Sequence, residues 1–162
     1  MKKLLDRLEY VQIRLAAVFL TIFIVCIILQ VATRYVPGFS LLWTEEIANY
    51  SFIWAVLMGA SVMVRHQEHF SLNLIKDKLK GRAALVNDLF ISGLIAVFGL
   101  LLFGYGLELT LKFWNWTVNS LPVIKQRYVW MVMPVTGLTM TLYAIGNMTE
   151  RIQKSDIGGV RQ

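Results

Sequence analysis

The sequence predicts an all-α integral membrane protein with four transmembrane helices, cytoplasmic termini and short amphipathic helices at the membrane surface. Hydrophobic residues make up 57% of the 162 residues and charged residues only 16%, whereas soluble domains carry about 25% charged residues. The charges also leave four long apolar stretches between them. A helix of about 20 apolar residues crosses the hydrocarbon core and satisfies its own backbone groups there. The chain is therefore predicted to be a single membrane domain over residues 1–162.

The four spans are predicted at 15–33, 46–64, 87–107 and 128–148. The first follows two lysines, as in a signal peptide, but it ends in QVATRY without a cleavage site of small residues, so we interpret it as a retained anchor. The fourth contains Pro134, which removes a helix hydrogen bond and predicts a kink.

Lysine and arginine predict the orientation. With four spans, twelve of the 16 basic residues fall on the side that holds both termini. Because positive residues stay in the cytoplasm, both termini are predicted to lie inside. The same bias explains the net charge of +6, so a nucleic-acid partner is not needed to explain it.

Two segments, 2–13 and 70–85, are predicted to be amphipathic helices that lie at the cytoplasmic interface. In the first, Leu4, Leu8 and Val11 repeat at helical spacing. In the second, basic residues crowd the face opposite an apolar one, and such a face binds anionic headgroups. The expected anchoring residues of this segment are Lys76, Lys78 and Lys80.

The stretch WTEEIANYSFIW opens the second span with two adjacent acids, Glu45 and Glu46. Thr44 is predicted to cap the helix, and acids in the first turn favour the helix dipole by about 0.3–1 kcal/mol. Two acids framed by aromatics point to a further role in polar contacts. Their partner is either Arg34 in this chain or another protein of the complex, and the sequence leaves both open.

The rest of this span is typical of a docking helix with polar groups at both ends. Four large side chains follow helical spacing and form a stripe that binds lipid or protein: Trp43, Ile47, Tyr50 and Trp54. Gly59 would let another helix approach closely. At the far end Arg65 and His69 share a face, and Arg65 is expected to reach the headgroups.

No catalytic, cofactor or metal constellation is found in the sequence. His66 and His69 lie on one helix end without partner ligands on a facing helix, and Cys26 is the single cysteine. No carboxylate lies in the middle of a span, where a proton-coupled transporter would hold its coupling group. We therefore expect neither an enzyme nor a cofactor in this chain.

The stretch WTEEIANYSFIWAVLMGASVMVRHQEHFSLNL resembles the small, Q-type (DctQ-like) membrane subunit of tripartite ATP-independent periplasmic (TRAP) transporters. The likeness covers about residues 5–150 and includes the later SLPV and RYVWMVMP segments with Pro122 and Pro134. One departure is Asn73, where the family often has an acid. The residues that match the pattern are Arg34, Trp43, Glu45, Glu46, Trp54, Gly59, Arg65 and His69.

The resemblance implies a non-catalytic subunit of the bacterial inner membrane that scaffolds a large transport subunit. That partner would take up an organic acid with sodium, after delivery by a periplasmic binding protein. Contacts with these partners are expected at Arg34, Trp43, Glu45, Glu46, Tyr50, Trp54 and Gly59. The alternative is a self-sufficient homo-oligomeric transporter or channel, which would need a buried coupling residue or a polar pore stripe. A redox-complex subunit is a further alternative and would need haem ligands.

Overall fold

The computed structural model describes residues 2–35, 41–66 and 82–159. These form α1 (Lys2–Arg34), α2 (Leu42–His66), α3 (Arg82–Lys112), a short α4 (Arg127–Trp130) and α5 (Val132–Gly159). Four helical segments are long and apolar enough to cross a membrane, with α4 and α5 together forming the fourth. The prediction of an all-α membrane protein is confirmed.

The first helix differs from the expectation. We predicted a separate surface helix over 2–13, but the structure has one helix of 33 residues that includes the first span. The apolar face also differs, since Leu5 is buried while Leu4 and Val11 are 63% and 52% exposed. The reason is that neither glycine nor proline interrupts the chain, and Leu5 packs against α2 and α5.

The fourth span is interrupted where the sequence predicts a kink, but the break precedes the proline. Pro134 lies in the first turn of α5, and Met131 separates this helix from α4. Proline is tolerated in a first turn because its missing N–H would have no intrahelical acceptor there. The fourth span is thus a short helix followed by a long one.

The helices pack in the order α1, α2, α5, α3 across the bundle. Among the most apolar 18 residues of each span, 61% are buried in the α4–α5 span and 33% in α2, against 11% in α3 and 6% in α1. α2 and α5 are therefore the central helices, and α1 and α3 flank them. Cys26 is buried.

Glycines bring α3 and α5 into close contact. A Cβ at Gly137 would lie 2.5 Å from the Phe103 nitrogen, and one at Gly106 would lie 2.8 Å from Pro134. Such contacts are too short for any side chain, so the two backbones touch directly. Small residues at helix crossings allow this approach in membranes.

The segment between α3 and α4 folds back over the bundle. An antiparallel bridge pairs Thr117 with Lys125, and the Val118 N–H donates to the Ile124 carbonyl at 2.9 Å. Val118 is only 1% exposed. This loop, residues 113–126, therefore has a fixed backbone that α2 can contact.

Candidate subunit interface

The two adjacent glutamates of α2 have different surroundings. A carboxylate oxygen of Glu46 accepts a hydrogen bond from the Ser120 N–H at 2.9 Å, which fixes the loop to the start of α2. Glu45, one residue earlier, is exposed. Adjacent helical positions point about 100° apart, so only one acid can face the loop. Glu46 has an internal role, and Glu45 is free to face a partner.

Thr44 does not cap α2 as the sequence predicts. The helix begins two residues earlier, at Leu42, and the Thr44 hydroxyl donates to the Leu41 carbonyl at 2.6 Å. Its backbone N–H bonds the same carbonyl at 3.3 Å. Thr44 is fully buried, so it closes the first turn from the inside.

The aromatic stripe of α2 is partly internal. The Trp54 indole N–H donates to the Tyr128 carbonyl at 3.2 Å, and its ring stacks on Phe19 with centroids 5.0 Å apart. Tyr50 is half-buried, while Trp43 is 37% exposed. Trp54 therefore joins three helices of this chain, and Trp43 is the member that most exposes its ring.

A second stripe runs along α2, and it faces outward. Its members follow the helical repeat and are exposed, apart from the half-buried glycine: Glu45, Asn49, Phe52, Val56, Gly59 and Met63. A Cβ at Gly59 would meet no atom within 4 Å. The space over this glycine is thus open, and we call these six residues the outward stripe.

Arg34 is the last residue of α1 and is exposed. Within residues 2–35, 41–66 and 82–159 no ion pair joins it to Glu45 or Glu46. Glu46 therefore has an intrachain partner, Ser120 instead of Arg34, while Glu45 has no ion pair with a described residue.

At the other end of α2, Arg65 contacts acids of α1 instead of reaching outward to headgroups. A terminal guanidinium nitrogen lies 2.8 Å from Asp6, and Nε lies 3.8 Å from Glu9. His66 Nε2 lies 2.7 Å from the other Glu9 oxygen. The Arg65 side chain is only 12% exposed, because two acids one turn apart on α1 draw it inward.

A polar cavity of about 470 Å³ opens beside these ion pairs. Within the described part of the chain, no three His, Cys, Asp or Glu side chains converge on a possible metal position. The cavity is lined by Asp6, Glu9, Arg65, His66, Asn147, Glu150 and Arg151. The remaining expected anchoring residues lie outside the described residues: His69, Lys76, Lys78 and Lys80. Asn73 also lies outside them.

Gln12, a buried polar residue with partners on two other helices, was missed by the sequence analysis. Its amide nitrogen lies 3.0 Å from both Ser61 Oγ and Thr139 Oγ1, and its carbonyl oxygen accepts from the Tyr143 hydroxyl at 2.6 Å. Ser61 and Thr139 also bond each other at 3.0 Å. These four residues, the glutamine clamp, join α1, α2 and α5.

A signal for the clamp was present in the sequence. Gln12 is seven residues from Leu5, so both point to the same side of α1. A polar residue on such an apolar face needs a hydrogen-bond partner when it is buried. Ser61 gives no comparable signal, because nothing local pairs it with a residue 49 positions away.

Comparison with known proteins identifies the family to which this chain is similar. Residues 23–154 match the sequence profile of the DctQ component of tripartite ATP-independent periplasmic transporters. The sialic acid TRAP transporter small permease protein SiaQ of Vibrio cholerae is 31% identical over 78 residues, 47% of this chain and 45% of that protein.

A second relative is the sialic acid TRAP transporter permease protein SiaT of Haemophilus influenzae, 26% identical over 114 residues. The match covers 70% of this chain and 18% of that protein. The chain thus matches less than half the length of each of these relatives. The family match spans most of the chain, from within the first membrane segment through the other three, and on this evidence the chain belongs to the DctQ family of TRAP transporter components, multi-pass proteins of the bacterial inner membrane.

Proposed function

We propose that this chain is a non-catalytic small permease subunit that scaffolds the large membrane subunit of a TRAP transporter. The large subunit carries out sodium-driven uptake of an organic acid delivered by a periplasmic binding protein, and both termini of this chain lie in the cytoplasm. Family membership supports the assignment to this transporter class. Because two relatives are named for sialic acid, that carboxylate is the first substrate to test.

The outward stripe of α2 carries the proposal. Glu45 and Asn49 are exposed on a helix of membrane-spanning length. Neither makes a hydrogen bond or ion pair with another described residue. Asn49 lies within the predicted span, where a polar group that faces hydrocarbon is costly, and Glu45 lies at the outer end of that span. A neighbouring protein can offer hydrogen bonds to both. The open space over Gly59 lets a helix backbone approach closely.

The interior of the bundle supports a scaffold instead of a transport path. The polar groups of the glutamine clamp bond one another across three helices. Such a network fixes the helices in one arrangement when its members are satisfied. A subunit with this interior holds its shape while its partner moves.

Two matched leucine variants test the docking surface. Neither Gly59 on α2 nor Gly93 on α3 has an atom within 4 Å of a built Cβ, so leucine fits at both sites in this chain. We expect Gly59→Leu to abolish co-purification of the large subunit in mild detergent and Gly93→Leu to preserve it. Equal recovery of the large subunit with both variants would contradict the outward stripe as the docking surface.

A charge reversal tests the polar part of the stripe. Glu45→Lys is expected to reduce both assembly and sodium-driven uptake, because the carboxylate would lose its partner. Uptake is measured in proteoliposomes with labelled sialic acid and the binding protein, with and without a sodium gradient. A purified chain that forms a stable homo-oligomer and transports by itself would overturn the proposal and favour the self-sufficient transporter.

A further inference from the structure

The first four turns of α1 sort their charges onto two sides. The acids Asp6 and Glu9 face α2, where they pair with Arg65 and His66. Three bases of the same segment are exposed: Lys3, Arg7 and Arg14. The acids are therefore occupied within the bundle, while the bases point elsewhere.

The three bases form one narrow row. With about 100° per residue, Lys3, Arg7 and Arg14 fall within about 40° of one another around the helix axis. Gln12 and Leu5, which face the bundle core, lie about 180° away by the same geometry. The row thus faces away from α2 and α5, the described helices that α1 contacts.

An aromatic ring lies in the same row. Tyr10 is 55% exposed, and the Arg14 guanidinium lies 4.1 Å from its ring centroid. This contact holds the arginine along the helix surface. None of the three bases forms an ion pair with a residue in the described ranges. We call Lys3, Arg7, Tyr10 and Arg14 the basic stripe.

Apolar side chains border the basic stripe on both sides. Leu4 is 63%, Val11 52% and Ile13 47% exposed. A face that met only water would leave these three side chains without apolar contact, whereas a lipid offers a charged headgroup beside acyl carbons. Basic residues next to the end of a membrane span attract anionic headgroups.

The length of α1 brings this stripe to the headgroups. Its 33 residues span about 50 Å, longer than a hydrocarbon core of about 30 Å. Because the apolar run begins just after Arg14, the excess length lies in the turns that carry the basic stripe. These turns therefore pass through the headgroup layer.

We propose that the basic stripe is a binding site for an anionic phospholipid. Arg7 and Arg14 contact headgroup phosphates at successive depths, Lys3 adds positive charge beyond them, and Val11 packs against the upper part of the acyl chains. The site holds α1 at a fixed depth on the side opposite the glutamine clamp. This inference stands on the geometry of α1 and is independent of the proposed transporter role.

Spin-labelled lipids test the site with the full chain in phosphatidylcholine vesicles. Trace amounts of labelled phosphatidylglycerol or phosphatidylcholine report the fraction of lipid immobilised by the protein. The wild type is expected to prefer phosphatidylglycerol. The triple variant Lys3→Gln, Arg7→Gln, Arg14→Gln is expected to lower that preference about threefold or more, since each base near the surface attracts anionic lipid.

Three controls separate a specific site from general attraction. The charge-preserving set Lys3→Arg, Arg7→Lys, Arg14→Lys should retain the preference, which also shows that the fold tolerates changes there. A second triple variant removes three bases at the opposite end of the bundle: Arg34→Gln, Lys112→Gln and Lys125→Gln. Its preference for phosphatidylglycerol should stay higher than that of the first triple variant. Labelled phosphatidylcholine should bind all variants equally.

Two results would overturn the proposal. One is an unchanged lipid preference in the first triple variant; if the same variant also loses the large membrane subunit in detergent extracts, the stripe is a protein contact. The other is an equal loss in the variant of the opposite end, which would mean that net charge alone attracts the lipid.

Discussion

The two flanking helices are attached to the central pair by different kinds of contact. α3 lies against α5 through glycines whose built Cβ atoms would come within 2.5–2.9 Å of the facing helix. α1 is attached to α2 and α5 by the glutamine clamp and by the ion pairs of Arg65. The α3 contact therefore depends on the absence of side chains, and the α1 contact depends on particular polar atoms. Each should respond to a different class of substitution.

The largest expected effect is at the glycine contact. Gly106→Leu places a side chain where Pro134 and Met133 already lie 2.8 Å from a built Cβ, so α3 must move away from α5. Overpacking of this kind should lower the free energy of unfolding by about 3 kcal/mol. The measurement is an SDS titration of the purified chain in mixed micelles.

Gly104→Leu is the matched control, because a Cβ at this position meets nothing within 4 Å. It should leave the stability unchanged or slightly higher, since leucine favours helix more than glycine does. Similar losses for the two variants would show that the glycines act through helix propensity and not through the contact with α5.

The clamp should give the next largest effect. Gln12→Leu removes the hydrogen bonds to Ser61 and Thr139 and leaves the buried Tyr143 hydroxyl without its acceptor. We expect a loss of about 2 kcal/mol in the same titration, because buried donors without partners are destabilising and hydrogen bonds within membranes are individually modest. Gln30→Leu on the same helix is the control, and a loss as large as that of Gln12→Leu would argue against the clamp.

The ion pairs of Arg65 should contribute less than the clamp. Arg65→Gln removes the partner of Asp6, while Glu9 keeps His66. Because Asp6 is 60% exposed, we expect a loss of about 1 kcal/mol, between the values of surface and buried pairs. High salt should reduce the difference from wild type. Arg34→Gln is the control, because it removes an exposed charge and should change stability less than Arg65→Gln does. Equal losses in the two variants would contradict the pairing of Arg65 with Asp6.

The smallest expected effect separates the two adjacent glutamates. Glu46→Ala removes the bond to the Ser120 N–H and should cost about 0.5 kcal/mol, the lower end of the range for a single hydrogen bond. Glu45→Ala loses only the helix-dipole effect that both acids share. Hydrogen exchange at the Ser120 amide should accelerate in the first variant alone. Faster exchange in both would mean that Ser120 is protected by the start of α2 in general and not by the Glu46 carboxylate.

Much of the fold could be predicted from the sequence, while the face of α1 that packs could not. Two sets of residues on α1 follow helical spacing. One set is Leu4, Leu8 and Val11, and the other is Leu5, Leu8 and Gln12. Hydrophobicity favours the first set, but the structure buries Leu5 and Gln12. In a membrane the lipid accepts apolar faces as readily as a protein core does. Polar partners, and not apolarity, therefore decided which side of α1 faces inward.

The candidate interface shows the same division. Sequence reasoning identified Glu45, Glu46, Trp54 and Gly59 as one group of contact residues. The structure divides them, since Glu46 and Trp54 contact the chain itself and Glu45 and Gly59 face outward. Glu46 and Trp54 each find a partner 74 residues away. Local spacing gives no information about such distant partners.

The sequence by itself determined the four spans, the helical class and the family, because hydrocarbon thickness and backbone hydrogen bonding restrict how an apolar chain of this length can fold. Only the tertiary structure decided which polar side chains act within the bundle. Gln12 needs Thr139, 127 residues away, and Arg65 needs Asp6, 59 residues away. The physical reason is that the partner of a polar group is set by helix packing, which brings together residues that the linear order separates.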